Sequence, residues 1–462
     1  MHDECVNDYP AYEVHGRPDN GEVFGVAVLG RLPDMEALGL AQQYANRWHG
    51  NRRKPAMNRR IIVALAAAGQ LFGMASLGLA DEKPIRIGVL NDMSGPYADY
   101  QGPGSVLAAQ MAVEDYGGKA AGRKVEVLFA DHQNKPDVGL GIVRKWIEQD
   151  GVDMIADVPN SAVALAVNQL IKDKNKAFIA SGAGTAALTG PQCTPNTVRW
   201  TYDTWELGHA LGRAIVDEGK KNWFFIAADY AFGHDLEKQA SEAVLEGGGK
   251  VLGVVDAPIG TADFSSYLLQ AQSANPNVVA LANAGADLNN SIKQAAEFGL
   301  TQKATLATFV LTIQSIPALT LQETQGMLTV NAWYWDLNDA TRAWSHRYEA
   351  RFSKHQMPND MQAGVYSSVL AYLRAVDKVG DSSDGKAVVD AMKANPSDDP
   401  VYGKVTIRQD GRAMHPVYLL QAKSPAESHE DWDYFKVLVP IPADRAFRPL
   451  GEGKCPIVSA DH

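Results

Sequence analysis

Two short stretches of this chain carry residue types that can hold a charged small molecule. Asn160-Ser161-Ala162 and Ser181-Gly182-Ala183-Gly184-Thr185 each follow an apolar run, and both are built from small residues and hydroxyls. Loops of this kind leave backbone N–H groups open, because no bulky Cβ stands in front of them. A helix start behind such a loop adds unpaired N–H groups and a positive dipole end. The combination is an anion cradle, suited to a carboxylate or a phosphate.

The second loop also has an enzyme-like pattern. Gly182-Ala183-Gly184-Thr185-Ala186-Ala187 fits G-x-G-x-x-A, the dinucleotide fingerprint. It comes several strands into the chain, not at a first βα turn, and Arg199 and Trp200 stand near the place of the expected acid. There is no G-x-S-x-G elbow and no P-loop, and the 11 histidines are scattered without an H-x-x-x-H pair or a Cys/His cluster. The residues support neither a nicotinamide enzyme nor a metal centre, and they imply no cofactor.

The elements that must position the cradle alternate. Periodicity predicts strands over 85–90, 124–130 and 177–180, with helices over 138–148 and 162–172 and a helical face at Val106, Ala109, Ala112 and Val113. Strand and helix alternating through short loops predict an α/β fold with a parallel sheet, whose ligands collect at the carboxyl ends of strands. Ser94-Gly95-Pro96 and both cradle loops fall there. The pattern then restarts, with helices over 203–217, 236–246, 264–273 and 289–298 between strands over 222–227, 250–255 and 278–282. Strands over 305–311 and 327–333, helices over 341–354, 361–379 and 385–394, and a strand-rich tail from 402 to 439 complete the prediction. Two sheets of similar order are expected.

The beginning of the chain reads as a targeting segment. Met57-Asn58-Arg59-Arg60 is a basic start, 61–79 is apolar, and Leu77-Gly78-Leu79-Ala80 ends in small residues, so 57–80 is expected to be a secretory signal peptide cleaved near Ala80. Gly69, Gln70, Gly73 and Gly78 make the run a poor membrane anchor. Residues 1–56 are expected to be an upstream extension outside the mature protein. The net charge of −11 is unchanged when residues 1–80 are removed, since they hold eight cationic and eight acidic side chains. An acidic chain repels phosphate backbones and anionic lipid, which argues against nucleic acid as a partner. Cys5 lies in the upstream part, leaving Cys193 and Cys455, both in Pro-containing loops of an exported chain, as an expected disulfide.

Taken in order, Ile85-Arg86-Ile87-Gly88-Val89-Leu90, Ser94-Gly95-Pro96, Tyr100, Asn160-Ser161, Gly184-Thr185, Asp229-Tyr230-Ala231-Phe232-Gly233, Thr261-Ala262-Asp263-Phe264-Ser265 and Ala284-Gly285-Ala286-Asp287 resemble the leucine/isoleucine/valine-binding family. These are type I periplasmic solute-binding proteins of ABC importers. The resemblance implies two Rossmann-like lobes joined by three crossings, near 199–203, 330–336 and 405–414, with the ligand between them. The lobes would comprise 84–203 with 333–405, and 204–332 with 406–462.

The resemblance also implies a site. Carboxylate-holding loops match Asn160, Ser161, Ala162, Ala183 and Thr185; aromatic contacts match Tyr100, Tyr230, Phe232 and Phe264; the ammonium-binding acid matches Asp287. Ala162 stands where classical amino-acid binders have a serine, so Ser161 or backbone N–H must serve instead. With Trp333, Tyr334 and Trp335 nearby in the chain, the cleft could be rich enough in rings for an aromatic acid as well as leucine. Trp335 is a candidate contact, and at a helix start Asp287 equally suits an N-cap. The implied protein is a periplasmic monomer that binds a small carboxylate and delivers it to an inner-membrane ABC permease. An exported sensor would use the same fold.

Overall fold

The computed structural model describes residues 83–459; the expected signal peptide and the upstream 1–56 lie outside them. The first lobe is built from β1 (Ile85–Asn91), α1 (Gly102–Asp115), β2 (Lys119–Ala120), β3 (Arg123–Asp131), α2 (Pro136–Lys145), β4 (Met154–Asp157), α3 (Ser161–Lys174), β5 (Ala177–Ala180) and β6 (Thr197–Arg199). Its sheet runs β2-β3-β1-β4-β5-β6 and is parallel apart from the short β2–β3 pair. β4 and β5 are buried along their whole length, which is why they read as unbroken apolar runs instead of alternating ones. β1, β4 and β5 are neighbours, so the loops that leave their carboxyl ends meet at one edge.

The second lobe repeats the plan with α4 (Thr204–Asp217), β7 (Asn222–Ala228), α5 (Ala231–Glu246), β8 (Lys250–Ala257), α6 (Ser265–Ser273), β9 (Val278–Ala282), α7 (Gly285–Glu297) and β10 (Thr305–Thr308). Its sheet is parallel, in the order β10-β9-β7-β8. β11 (Leu328–Asn331) lies beside β10, where Thr308 Oγ1 donates to Leu328 O over 3.1 Å. The chain then returns to the first lobe as α8 (Asp339–Arg351), α9 (Asp360–Val379) and α10 (Gly385–Ala394). Arg351 forks onto Glu114 at 2.6 and 2.9 Å, and Tyr366 donates to Asp115 over 2.7 Å. β12 (Ser397–Asp399), β13 (Gly403–Ile407) and β14 (Ala413–Met414) form one small antiparallel sheet. β15 (Val417–Ala422) and β16 (Phe435–Ile441) pair back onto β11 in another.

Differences from the sequence-based expectation include the bounds of α5, α7 and β11. α5 and α7 begin about a turn earlier than their apolar periodicity suggests. In α5, Gly233 sits so close to the end of β7 that a Cβ there would come within 2.1 Å of Ala228 O. That glycine marks close helix–strand packing, not a loop. β11 ends before Trp333, because the Ala332 N–H leaves the ladder and donates to Asp360 Oδ2 over 3.1 Å. Cys193 and Cys455 form a disulfide with Cα atoms 5.6 Å apart, tying the C-terminal tail to the segment after β5. Among the described residues no helix is long and apolar enough to cross a membrane.

Candidate functional site

At the end of β4 the chain turns sharply, with Asp157 and Val158 both in the left-handed region at φ 76° and 57°. The turn aims Asn160 at the start of α3, where its Oδ1 accepts from the N–H groups of Ala162 and Val163 at 3.0 and 3.1 Å. Asn160 is therefore an N-cap, and the N–H of Ala162 is committed to it. Ser161, wholly buried as the first residue of α3, accepts from the Thr185 N–H over 3.1 Å and so joins the two loops. Among the described residues, the N–H groups of Ser161, Ala183 and Gly184 have no hydrogen-bond partner. Together with the Ser161 O–H they form the open part of the cradle.

The floor beneath is polar. Asn91 Nδ2 donates to Asp157 Oδ2 over 2.5 Å, while Asn91 Oδ1 accepts from the N–H groups of Asp92 and Gly102. Gly182 lies against this floor; a Cβ there would come within 2.2 Å of Gln101 Oε1 and 2.7 Å of Asp157 Oδ1. Burial pushes the Asp157 carboxyl up to about 7, against the opposing hydrogen bonds from Ser105 and Asn91.

Rings close over the cradle. Phe232, at the start of α5, packs on Gly184, where a Cβ would sit 2.5 Å from the ring. Tyr97 and Tyr230 join hydroxyls across the lobes at 2.5 Å, Tyr97 stacks edge-on with Tyr100 at 5.6 Å, and Tyr230 lies 6.0 Å from Phe232. The Tyr202 hydroxyl donates to Gly182 O over 2.7 Å. Burial pushes all four tyrosines up, so their hydroxyls remain neutral donors and acceptors. The lobes also touch where the Ala286 N–H, in the first turn of α7, donates to Pro96 O over 3.0 Å. The structure is a closed one.

Asp287 is the third residue of α7 and does not cap it; its Oδ2 accepts from the Gly260 N–H over 2.9 Å. Burial pushes it up to about 6, partly offset by that bond, and its charge bears on Tyr97, Tyr100 and Tyr230. Tyr100, Ser161, Ala183, Tyr230, Phe232 and Asp287 are thus gathered at one seam. Two predicted site residues lie elsewhere. Phe264 is buried in the second-lobe core beside Tyr267 and Leu268, its N–H donating to Gln294. Trp335 is buried between α8 and the tail, its ring N–H donating to Trp432 O over 2.9 Å. The Thr185 hydroxyl, facing the second lobe, donates to Asp235 over 2.8 Å.

Sequence reasoning missed Tyr97, Tyr202, Asp157 and Asp235. A polar residue closing an apolar strand, as Asp157 does, was the one available signal. The fingerprint-like 182–187 run opens onto a short 3₁₀ turn, Ala186–Thr189, and so lacks the long helix whose N-terminus would face a pyrophosphate. On the exposed rim, Asp229, His234 and Asp256 bring possible metal ligands within 4.8 Å of one another. His234 presents its two ring nitrogens to different carboxylates, at 3.2 and 3.7 Å, which is an ion-pair arrangement when the ring is protonated.

The sequence pattern of the periplasmic binding protein family matches residues 84–428. A periplasmic binding protein from Burkholderia mallei is 45% identical, with a TM-score of 0.79 over 82% of this chain and 99% of its own. A branched chain amino acid ABC transporter periplasmic ligand-binding protein from Burkholderia xenovorans is 38% identical, with a TM-score of 0.71 over 81% and 99%. A Leu/Ile/Val-binding protein homolog from Brucella abortus is 27% identical over 207 residues, 45% of this chain, and the match spans about half of that relative's length, 52%. These relatives are binding proteins and not enzymes. The chain belongs to the periplasmic binding protein family, in its leucine/isoleucine/valine-binding type I branch.

Proposed function

We propose that this protein is the extracytoplasmic solute-binding protein of an ABC importer, taking a small carboxylate between its lobes by domain closure. The observation that carries this reading is the set of open donors, Ser161 N–H and O–H with the N–H groups of Ala183 and Gly184, beneath a lid of rings from both lobes. The carboxylate takes these donors. Tyr100, Tyr230 and Phe232 cover the apolar part of the solute, with Tyr97 and Tyr202 beside them. Only the closed form offers both sets of contacts, and a solute shifts the equilibrium only through that difference.

The lobes are 84–203 with 333–405 and 204–332 with 406–462. Export through the inner membrane, a monomeric state and delivery to a membrane permease complete the proposal. The solute is a branched-chain or other apolar amino acid, or an aromatic acid, and Asp287 separates the two: it pairs with an ammonium, and an acid without an amine leaves it bound only to Gly260. A thermal-shift screen tests this with leucine, isoleucine, valine, phenylalanine, benzoate and 4-hydroxybenzoate, since a ligand of the folded state raises the melting temperature by mass action. A shift with the amino acids alone assigns Asp287 to the ammonium. A shift with the benzoates alone removes that role.

A further inference from the structure

The Thr185 hydroxyl and the Ala186 N–H already hold a carboxylate, and it belongs to the protein. We propose that Asp235 is the latch of the closed state, a positioning residue that fills the outer half of the cradle when the lobes meet. Its Oδ2 accepts from Thr185 Oγ1 at 2.8 Å, from Ala186 N at 2.8 Å and from Thr204 Oγ1 at 2.7 Å. Gln239 Nε2 reaches its Oδ1 at 3.4 Å. Thr185 and Ala186 follow β5 of the first lobe; Asp235 lies on α5 of the second; Thr204 opens α4 just past the first crossing. The contact therefore joins the lobes at the hinge side of the cleft.

Buried Arg199 stands behind the loop. Its guanidinium donates to Thr185 O over 2.9 Å and to Tyr202 O over 2.5 Å, and it feels the charge of Asp235. The loop is thus held from behind by a cation and from the front by a carboxyl group. When the lobes separate, the Thr185 hydroxyl gives up this acceptor to water, so the contact favours the closed form alone. It also confines a solute carboxylate to the inner donors of Ser161, Ala183 and Gly184, and to that extent rests on the solute-binding reading.

The test uses the full chain with spin labels on Asp137→Cys in the first lobe and Ala262→Cys in the second, both exposed positions, and reads the interlobe distance without any solute. Cys193 and Cys455 are bonded to each other and do not react, and Cys5 is replaced by serine. Asp235→Asn and Thr185→Val each lower the closed-to-open ratio roughly tenfold, the effect of one strong hydrogen bond lost. Combining them costs less than the sum, because both remove the Thr185–Asp235 bond, and Thr185→Ser, which keeps the hydroxyl, retains the original distribution. Unchanged distances in both single variants, or full additivity in the double variant, overturn the latch. Titration of leucine and 4-hydroxybenzoate in the same samples separates the two readings: if neither probe binds while the distances still depend on Asp235, the solute assignment fails and the latch stands.

Discussion

The loops after β4 and β5 are close neighbours made of similar residues, yet they are held in different ways. The first is fixed from within: Asn160 caps α3, the strained Asp157-Val158 turn aims it, and Asn91 ties it to the loop after β1. The second is fixed from outside, by Asp235 in front, Arg199 behind and the tail beyond, where Arg448 donates to Ala186 O over 3.1 Å and the Cys193–Cys455 bridge follows. A loop supported locally keeps its donors open whatever the lobes do. A loop supported by distant parts of the chain can report whether the lobes are closed. On the proposed reading the inner donors of Ser161, Ala183 and Gly184 serve the solute, and the outer part of the second loop, Thr185 and Ala186, serves closure.

The largest expected effect comes from cutting the outside support of the second loop. Replacing both Cys193 and Cys455 by serine is expected to cost roughly 5–6 kcal/mol of stability in the chain-entropy account, because the bridge spans 262 residues and closes a long loop in the unfolded chain. Chemical denaturation of the variant checks this. The residual Ser161 contacts should be unaffected, so weaker solute binding at temperatures where the variant is folded would mean that the first loop also leans on the tail.

A smaller effect probes the inside support of the first loop. Asp157 is wholly buried and pushed up to about 7, whereas an unfolded aspartate ionises near 3.9. Below about pH 4 both states are protonated and the group costs nothing. As pH rises toward 7 the unfolded state ionises first, so the native protein loses stability across this window, by roughly 4 kcal/mol in total. Asp157→Asn should flatten that slope in denaturation curves taken from pH 4 to pH 7. An unaltered slope would mean that the carboxyl is not the strained element beneath the loop.

Much of the frame was legible in the sequence because it rests on local rules. Strand and helix periodicities placed both sheets, and the small residues with hydroxyls marked the strand-end loops. The cysteine pair in Pro-containing loops pointed to the bridge. Side-chain direction was not legible. Phe264 and Trp335 are ring residues in the right order along the chain, but burial in the second-lobe core and against the tail decides where they point. Asp235 looks, in sequence, like one more polar residue ahead of the helix expected over 236–246, and its role arises only when α5 meets the loop after β5. The sequence offers Thr185 as a solute donor, and its neighbours in sequence do not include Asp235, its partner in the structure.

The most direct measurement is calorimetric titration of the first carboxylate that stabilises the protein, run beside its methyl ester, on the wild type and on Ser161→Ala. An anion held by Ser161 and the inner N–H groups requires the acid to bind at least tenfold more tightly than the ester. It also requires Ser161→Ala to lower the affinity for the acid by about 1–3 kcal/mol, since one donor is lost and the Thr185 N–H is left without its acceptor. An ester that binds as tightly as the acid, or a Ser161→Ala variant that binds the acid unchanged, would contradict the assignment of the inner cradle to the solute carboxylate.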